Sequence, residues 1–317
     1  MKSKYPSRGL VSICRLFGIT RQAYYQHTWE AEDLQTSHWL ILKEVRRIRQ
    51  SHRQMGTRKL YTLIEPFLAE HGIKIGRDAL FDLLAANKLL VRKRKRRIQT
   101  THSLHWLRKY PNLIRDIIPN RSNQLWVSDI TYWKITTGQH LYISLVTDAY
   151  SRKIVGYNAA ETMEAFESVK ALQMALSALD GANRPLQLIH HSDRGIQYCS
   201  NKYVKLLQDY GIDISMTENG DPLENAIAER VNGILKEEYL NHNEIKNITE
   251  AKKQLEKTIK LYNEHRPHMS IGNHTPQKIH QDKQAEVKRL WKNYYNKLNN
   301  FTENYPVNLL QDLSINL

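Results

Sequence analysis

The sequence predicts a chain of two characters: an all-α, strongly basic first part and an α/β second part built on a mixed five-stranded sheet flanked by helices. Charge, hydrophobic period and element order each point there. Residues 1–121 carry 25 Lys and Arg against 9 Asp and Glu, whereas residues 122–317 carry 22 against 23, so the whole excess of +15 belongs to the first part. Apolar residues recur at helical spacing in the first part and at strand spacing in the second. Three neighbouring strands followed by alternating helix and strand give a layered sheet rather than a bundle. With 317 residues the chain is long enough for two cores.

The first part reads as two helix-turn-helix segments. In the first, at residues 1–30, Leu10, Val11, Ile13, Cys14, Leu16 and Phe17 make a short apolar helix, Gly18 supplies the turn and Ile19 plugs it. Thr20 then caps a second helix over Arg21–Gln26 that presents Arg21 and Gln22 to a groove. A separate helix is expected at Ser37–Ser51, with Ile41, Val45 and Ile48 on one face. It opens a second segment at residues 37–98, in which Leu60, Leu63, Ile64, Phe67 and Leu68 form a helix face that Pro66 should kink. After a Gly72 to Gly76 turn, Arg77–Asn87 is the expected recognition helix. The run Arg92-Lys93-Arg94-Lys95-Arg96-Arg97 repels itself and cannot pack, which suits phosphate contact. Residues 99–121 read as a linker. Charge asymmetry of this kind is the footprint of a polyanion partner, since each neutralised phosphate releases counterions.

Residues 122–282 change character. Strands are expected at Leu125–Ile135, His140–Asp148 and Lys153–Asn158, then a helix at Met163–Leu179. The continuously apolar run Leu186–Ser192 reads as a central strand, followed by a helix at Asn201–Tyr210, a short strand at Ile212–Thr217 and helices at Leu223–Tyr239 and Ile248–Tyr262. Residues 283–317 are expected to form a helical tail. This order resembles a ribonuclease-H-like fold.

Three acidic residues stand where these patterns end. Asp129 closes the run Leu125 to Ser128, Asp193 closes Leu186 to Ser192, and Glu229 lies within the later helix, with thirty-five residues between it and Asp193. Hard divalent cations take carboxylate oxygens, and separate rigid elements must hold those oxygens together, so the pattern fits metal-assisted phosphoryl transfer. On the Glu229 helix, Asn225, Glu229, Asn232 and Lys236 form a polar stripe, with Ile227, Val231 and Ile234 on another face. The stripe is expected to meet DNA, with Lys236 on a phosphate and Arg194 adding a contact from the loop after Asp193. Asp148 reads as a turn residue, and His190 and His191 as packed side chains.

The segments Trp126-Val127-Ser128-Asp129-Ile130-Thr131-Tyr132 and His191-Ser192-Asp193-Arg194-Gly195-Ile196-Gln197-Tyr198 resemble a known family, as do Glu224-Asn225-Ala226 with Glu229 and Lys236. So does Tyr262-Asn263-Glu264-His265-Arg266-Pro267-His268 followed by Thr275-Pro276. They are similar to the DDE transposases of the insertion-sequence-three family, relatives of retroviral integrases. The resemblance implies an integrase-type core with Asp129, Asp193 and Glu229 as catalytic and metal-binding residues. It also implies two Mg²⁺ ions, with Mn²⁺ an alternative, about 3.5 to 4 Å apart and bridged by Asp129. The implied activity is recognition of terminal inverted repeats, nicking of 3′ ends and strand transfer. The implied partners are transposon-end and target DNA, further copies of the chain on DNA and an upstream-frame protein.

Other classes are constrained. A nuclease of the same fold that only hydrolyses, or an inactive DNA-binding regulator, would share parts of this pattern, but paired helix-turn-helix segments favour site-specific end binding and three intact acids oppose decay. No run approaches the ~18 apolar residues of a membrane helix, so a cytoplasmic, nucleoid-associated bacterial protein is expected. Cys14 and Cys199 sit in no metal-binding pattern and read as packed thiols.

Overall fold

The computed structural model describes residues 9–91, 106–115, 117–179, 187–218 and 225–282. The chain starts with helix α1, Leu10–Leu16, which ends in a turn at Gly18 with φ +67°. Thr20 caps α2, its Oγ1 accepting from the Ala23 amide at 3.0 Å. Two helices were expected after this cap, but α2 runs unbroken over Arg21–Ser51, because no glycine or proline interrupts those 31 residues. Ile19 does not plug the turn; it is exposed. The second half of α2 enters the helical core, where Ile41, Val45 and Ile48 meet Leu60, Ile64 and Leu68 of α3, Thr57–Glu70, and Leu80 and Leu84 of α4, Arg77–Ala86. Helix α3 continues through Pro66. Gly72, at φ +64°, makes the turn that leads to α4.

Strands β1 (Leu125–Lys134), β2 (His140–Asp148) and β3 (Ile154–Ala160) form an antiparallel meander. Asp148 holds its second turn, accepting from the Asn123 and Ser151 amides at 2.8 Å each, as its turn reading predicted. Helix α5, Ala165–Ser177, then crosses over to β4, Ile189–Ser192, which lies parallel to β1. Short α6, Ile196–Cys199, and α7, Asn201–Asp209, lead to β5, Asp213–Met216, parallel to β4. The sheet order is β3-β2-β1-β4-β5, the expected mixed five-stranded sheet of a ribonuclease-H-like fold. Alternation along the strands feeds two cores. Leu141, Ile143 and Leu145 meet Val231 and Ile234 of α8, Ala226–Ile234, and Leu255 and Ile259 of α9, Ile248–His265. Trp126 and Val146 face α5 and α7 on the other side. Helix α5 sits so close to β3 that a Cβ on Gly156 would fall 2.1 Å from the Ala171 carbonyl oxygen. Both cysteines are buried and free, as expected.

After α8 the chain widens into a π-helical turn, Leu235–Tyr239, rather than extending the helix uniformly to Tyr239. That turn joins the two parts of the molecule. Glu238 accepts from Arg266 Nε and Nη2 at 2.8 and 2.7 Å and from Lys59 of α3 at 3.0 Å. His52 Nδ1 meets the Tyr239 hydroxyl at 2.9 Å, and Arg53 donates to the His242 carbonyl at 2.6 Å. Burial holds His52 down to about 4, hence neutral. The Tyr262 to His268 signature is a strut: Asn263 bonds both the amide and the carbonyl of Ile154, and the Tyr262 hydroxyl donates to the Arg152 carbonyl. Among the described residues no helix is long and apolar enough to cross a membrane. The expected basic run at 92–97, the start of the helix expected from Leu223 and the tail at 283–317 lie outside the described residues.

The α5–β3 approach makes Gly156→Val a stringent probe. Chemical denaturation is expected to show a loss of about 1–3 kcal/mol from overpacking, and a variant as stable as the parent would contradict so close an approach.

Candidate active site

The acidic cluster begins with strand register. The parallel ladder between β1 and β4 ends at the pair Ser128 and Ser192, so the next residues of the two strands, Asp129 and Asp193, emerge side by side. Their situations then differ. Asp129 does not close its strand, as expected from the sequence; it lies mid-way along β1 opposite Leu145 of β2, because β2 continues the pairing after β4 has stopped. Asp193 does leave its strand, and its Oδ1 accepts from the Gly195 amide at 3.0 Å. A Cβ at Gly195 would stand 2.9 Å from that oxygen, so a side chain there would displace the carboxylate.

Asp129 is held at both oxygens. Oδ1 accepts from the Ile130 amide at 2.9 Å and Oδ2 from the Asn232 side chain of α8 at 2.6 Å. Burial, then the neighbouring charge of Asp193, raise its carboxyl to about 7, against those two hydrogen bonds; Glu229 adds to the rise. Glu229 occupies the first turn of α8 and is exposed. Among the described residues no three His, Cys, Asp or Glu side chains are already gathered at metal-binding distance. The structure therefore places Asp129 and Asp193 together and leaves Glu229 at the rim.

Beneath the two aspartates lies a buried polar network. His190 Nε2 meets Ser128 Oγ at 2.7 Å and the Tyr203 hydroxyl at 2.9 Å, and burial drives its pKa to about 3. His191 Nδ1 meets Ser215 Oγ at 2.8 Å. Both histidines are packed side chains, as read from the sequence. Tyr198 is buried close by, and its hydroxyl is raised by burial, by Tyr203 and by the charges of Asp129 and Asp193.

The residues expected to meet DNA fall into different places. Asn225 and Asn232 are buried, and the stripe they form faces β1 instead of solvent: Asn225 donates to the Ser128 carbonyl at 3.1 Å and Asn232 to Asp129. A helical wheel gives the stripe but not its direction, and here the sheet claims it. Lys236, in the π-helical turn, donates to Thr131 Oγ1 at 3.2 Å, two residues along β1 from Asp129. Arg194 is half-buried after Asp193. Arg21 and Gln22 are exposed on the first turn of α2, Arg21 over the Tyr25 ring at 5.6 Å. Arg77 is exposed on the first turn of α4, paired with Asp78 at 2.8 Å. The run Arg92, Lys93, Arg94, Lys95, Arg96, Arg97 lies outside the described residues. The grip of Asn232 on Asp129 was missed in the sequence, although its place three residues after Glu229 puts it on the same helical face.

Comparison with known proteins identifies relatives of this chain. Two models described as integrase core domain match residues 119–222 and 210–276. The chain is 36% identical over 282 residues to the insertion element IS600 uncharacterized 31 kDa protein of Shigella sonnei, covering 85% of this chain and 99% of that one. It is 31% identical over 276 residues to the transposase for insertion sequence element IS629, also of Shigella sonnei, covering 84% and 90%. A solved structure, the HTLV-2 integrase catalytic core domain in complex with magnesium, is a remote likeness at 21% identity and a TM-score of 0.41, over 51% of this chain and 98% of that one.

The raised Asp129 carboxyl has a consequence for stability. Its proton is held more tightly in the folded chain, at about 7, than in the unfolded one, whose value is an ordinary 3.8. The stabilisation this gives is complete below the unfolded value and is lost as pH rises through about 7. In metal-free buffer Asp129→Asn is therefore expected to melt several degrees above the parent at pH 8 and close to it at pH 4. An equal difference at both pH values would contradict the crowding of charge.

Proposed function

The chain belongs to the family of insertion-element transposases that carry an integrase core domain, and we propose that it cuts and joins DNA at the ends of its element by metal-assisted phosphoryl transfer. The observation that carries this reading is the pair Asp129 and Asp193, set side by side by the β1–β4 register with the Asp129 carboxyl raised to about 7. All-oxygen donors suit a hard divalent cation, and carboxylates crowded in this way are relieved by one. Asp129, Asp193 and Glu229 would hold Mg²⁺, two ions per site, with Mn²⁺ as an alternative. When bound, the ions supply Lewis-acid stabilisation of the phosphate and an oxygen nucleophile active near neutral pH.

The chain's own residues do the positioning. Asp129 would hold metal with a carboxylate whose plane is fixed by Ile130 and Asn232. Asp193 is kept pointing at the same place by the Gly195 amide. Glu229 completes the set by turning its exposed side chain inward from the start of α8. Lys236 steadies a phosphate beside Thr131, and Asn225 ties the start of α8 to β1 through the Ser128 carbonyl. The basic residues 1–121, with Arg21, Gln22, Arg77 and the run Arg92 to Arg97, grip the terminal inverted repeats, while residues 122–282 carry the chemistry. Copies of the chain assembled on DNA bring two ends together.

A strand-transfer assay with the element's end DNA and Mg²⁺ tests this reading. Glu229→Gln is expected to lose about 10³-fold or more in joining, the several kcal/mol of a metal contact at ~1.4 kcal/mol per decade. Asn232→Ala is expected to weaken metal affinity about 10- to 100-fold. Wild-type joining by Glu229→Gln would remove Glu229 from the site, and cleavage without joining by the parent chain would replace the transposase reading with a nuclease.

A further inference from the structure

A second polar site lies on the other side of α8. Asn225, Glu229 and Asn232 are spaced to face β1, whereas Ile227, Arg230 and Ile234 line a separate cavity of about 430 Å³. Lys59, Arg152, Arg266, His268 and Ser270 complete its polar wall. These residues come from α3, the β2–β3 turn and the segment after α9, so both parts of the molecule build it.

Four cations, Lys59, Arg152, Arg230 and Arg266, line it, and two of them, Lys59 and Arg266, share the carboxylate of Glu238. Burial, then the nearby Arg266, draw the Lys59 ammonium down to about 8 in spite of its ion pair. Arg152 sits at φ +66°, a region a non-glycine residue rarely occupies, and its guanidinium is pinned by the Ala149 carbonyl and by Ser270 Oγ at 3.2 Å. Since Ser270 Oγ accepts from Arg152, its own proton is available to His268 Nδ1, 3.0 Å away. Burial and the surrounding cations keep His268 neutral. A neutral imidazole that accepts at Nδ1 carries its hydrogen on Nε2. His268 is more than nine-tenths buried, and its Nε2 is a buried atom with no hydrogen-bond partner among the described residues. A buried donor without a hydrogen-bond partner among the described residues, in a wall that carries four cations, suits an anionic acceptor.

We propose that this cavity is a phosphate site that takes a backbone phosphate of a DNA strand passing behind the helix of Glu229. Arg230, exposed at its mouth, makes the first contact, and Arg152 and His268 form the wall behind it. The site stands apart from the metal chemistry, so it can be tested without metal or cleavage.

The experiment uses the full-length chain and Arg230→Glu, with Arg230→Gln in its place if the first variant does not fold. Inorganic phosphate at constant ionic strength is expected to raise the melting temperature of the parent over a chloride control and to leave the variant unmoved. Duplex DNA binding, followed by fluorescence anisotropy across a salt series, is expected to show a slope of log K against log salt about one smaller for the variant, the loss of one phosphate contact. A phosphate response equal in parent and variant overturns the site. A phosphate response lost while the DNA slope is unchanged overturns the assignment to DNA and leaves a free phosphate as the occupant.

Discussion

Everything at the acidic cluster depends on the register of β1 against β4. Pairing Ser128 with Ser192 as the last rung of a parallel ladder obliges the next residue of each strand to emerge at the same height. A slip of one residue would turn Asp129 to the opposite face of the sheet. The register is supported from below by His190, which reaches across to Ser128 and is itself met by Tyr203 of α7. A neutral, buried histidine between two hydroxyls is thus a structural brace, and the charge it supports lies above it. Burial of the Asp129 carboxyl, and after it the charge of Asp193 beside it, hold its value high. Such a site holds unfavourable energy that a divalent cation releases on binding, which links the geometry of a sheet to an affinity for metal.

The second constraint is the buried carboxylate of Glu238. A buried ion pair is weak evidence for stability, because desolvation offsets much of the attraction, and its better-attested use is to fix one arrangement over others. Glu238 fits that use. It collects Arg266 from the strut after α9 and Lys59 from α3, so it orients the helical part against the sheet. The π-helical turn that carries Glu238 also carries Lys236, which reaches the other way to Thr131 on β1. One turn of chain therefore connects the orientation of the helical first part to the rim of the acidic cluster.

Much of the fold was legible in the sequence because strands and helices announce themselves by local period. The meander from Leu125 to Ala160 was readable as three strands, with His140–Asp148 found to the residue, since turns at Gly138 and after Asp148 bound it. The helices at α4 and α7 were bounded as well by capping and turn residues. What escaped was long-range. The union of Arg21–Gln26 with Ser37–Ser51 into α2 follows from the absence of any glycine or proline between them. Asn225 and Asn232 looked like a solvent-facing stripe because a helical wheel shows which residues share a face and not what that face meets. Asp129 looked like a strand end because its apolar run stops there, whereas the strand continues on pairing with β2. The role of Arg266 needed Glu238, twenty-eight residues away, and Lys59, on the other part of the molecule.

The central claim is that Asp129, Asp193 and Glu229 form one divalent-metal site. Anomalous diffraction from crystals of the full-length chain soaked in Mn²⁺ tests it most directly. The account predicts an anomalous peak between the Asp129 and Asp193 carboxylates, with the Glu229 side chain turned inward from the start of α8 toward it. A peak elsewhere, or an empty site at saturating Mn²⁺ with both aspartates well ordered, would contradict it.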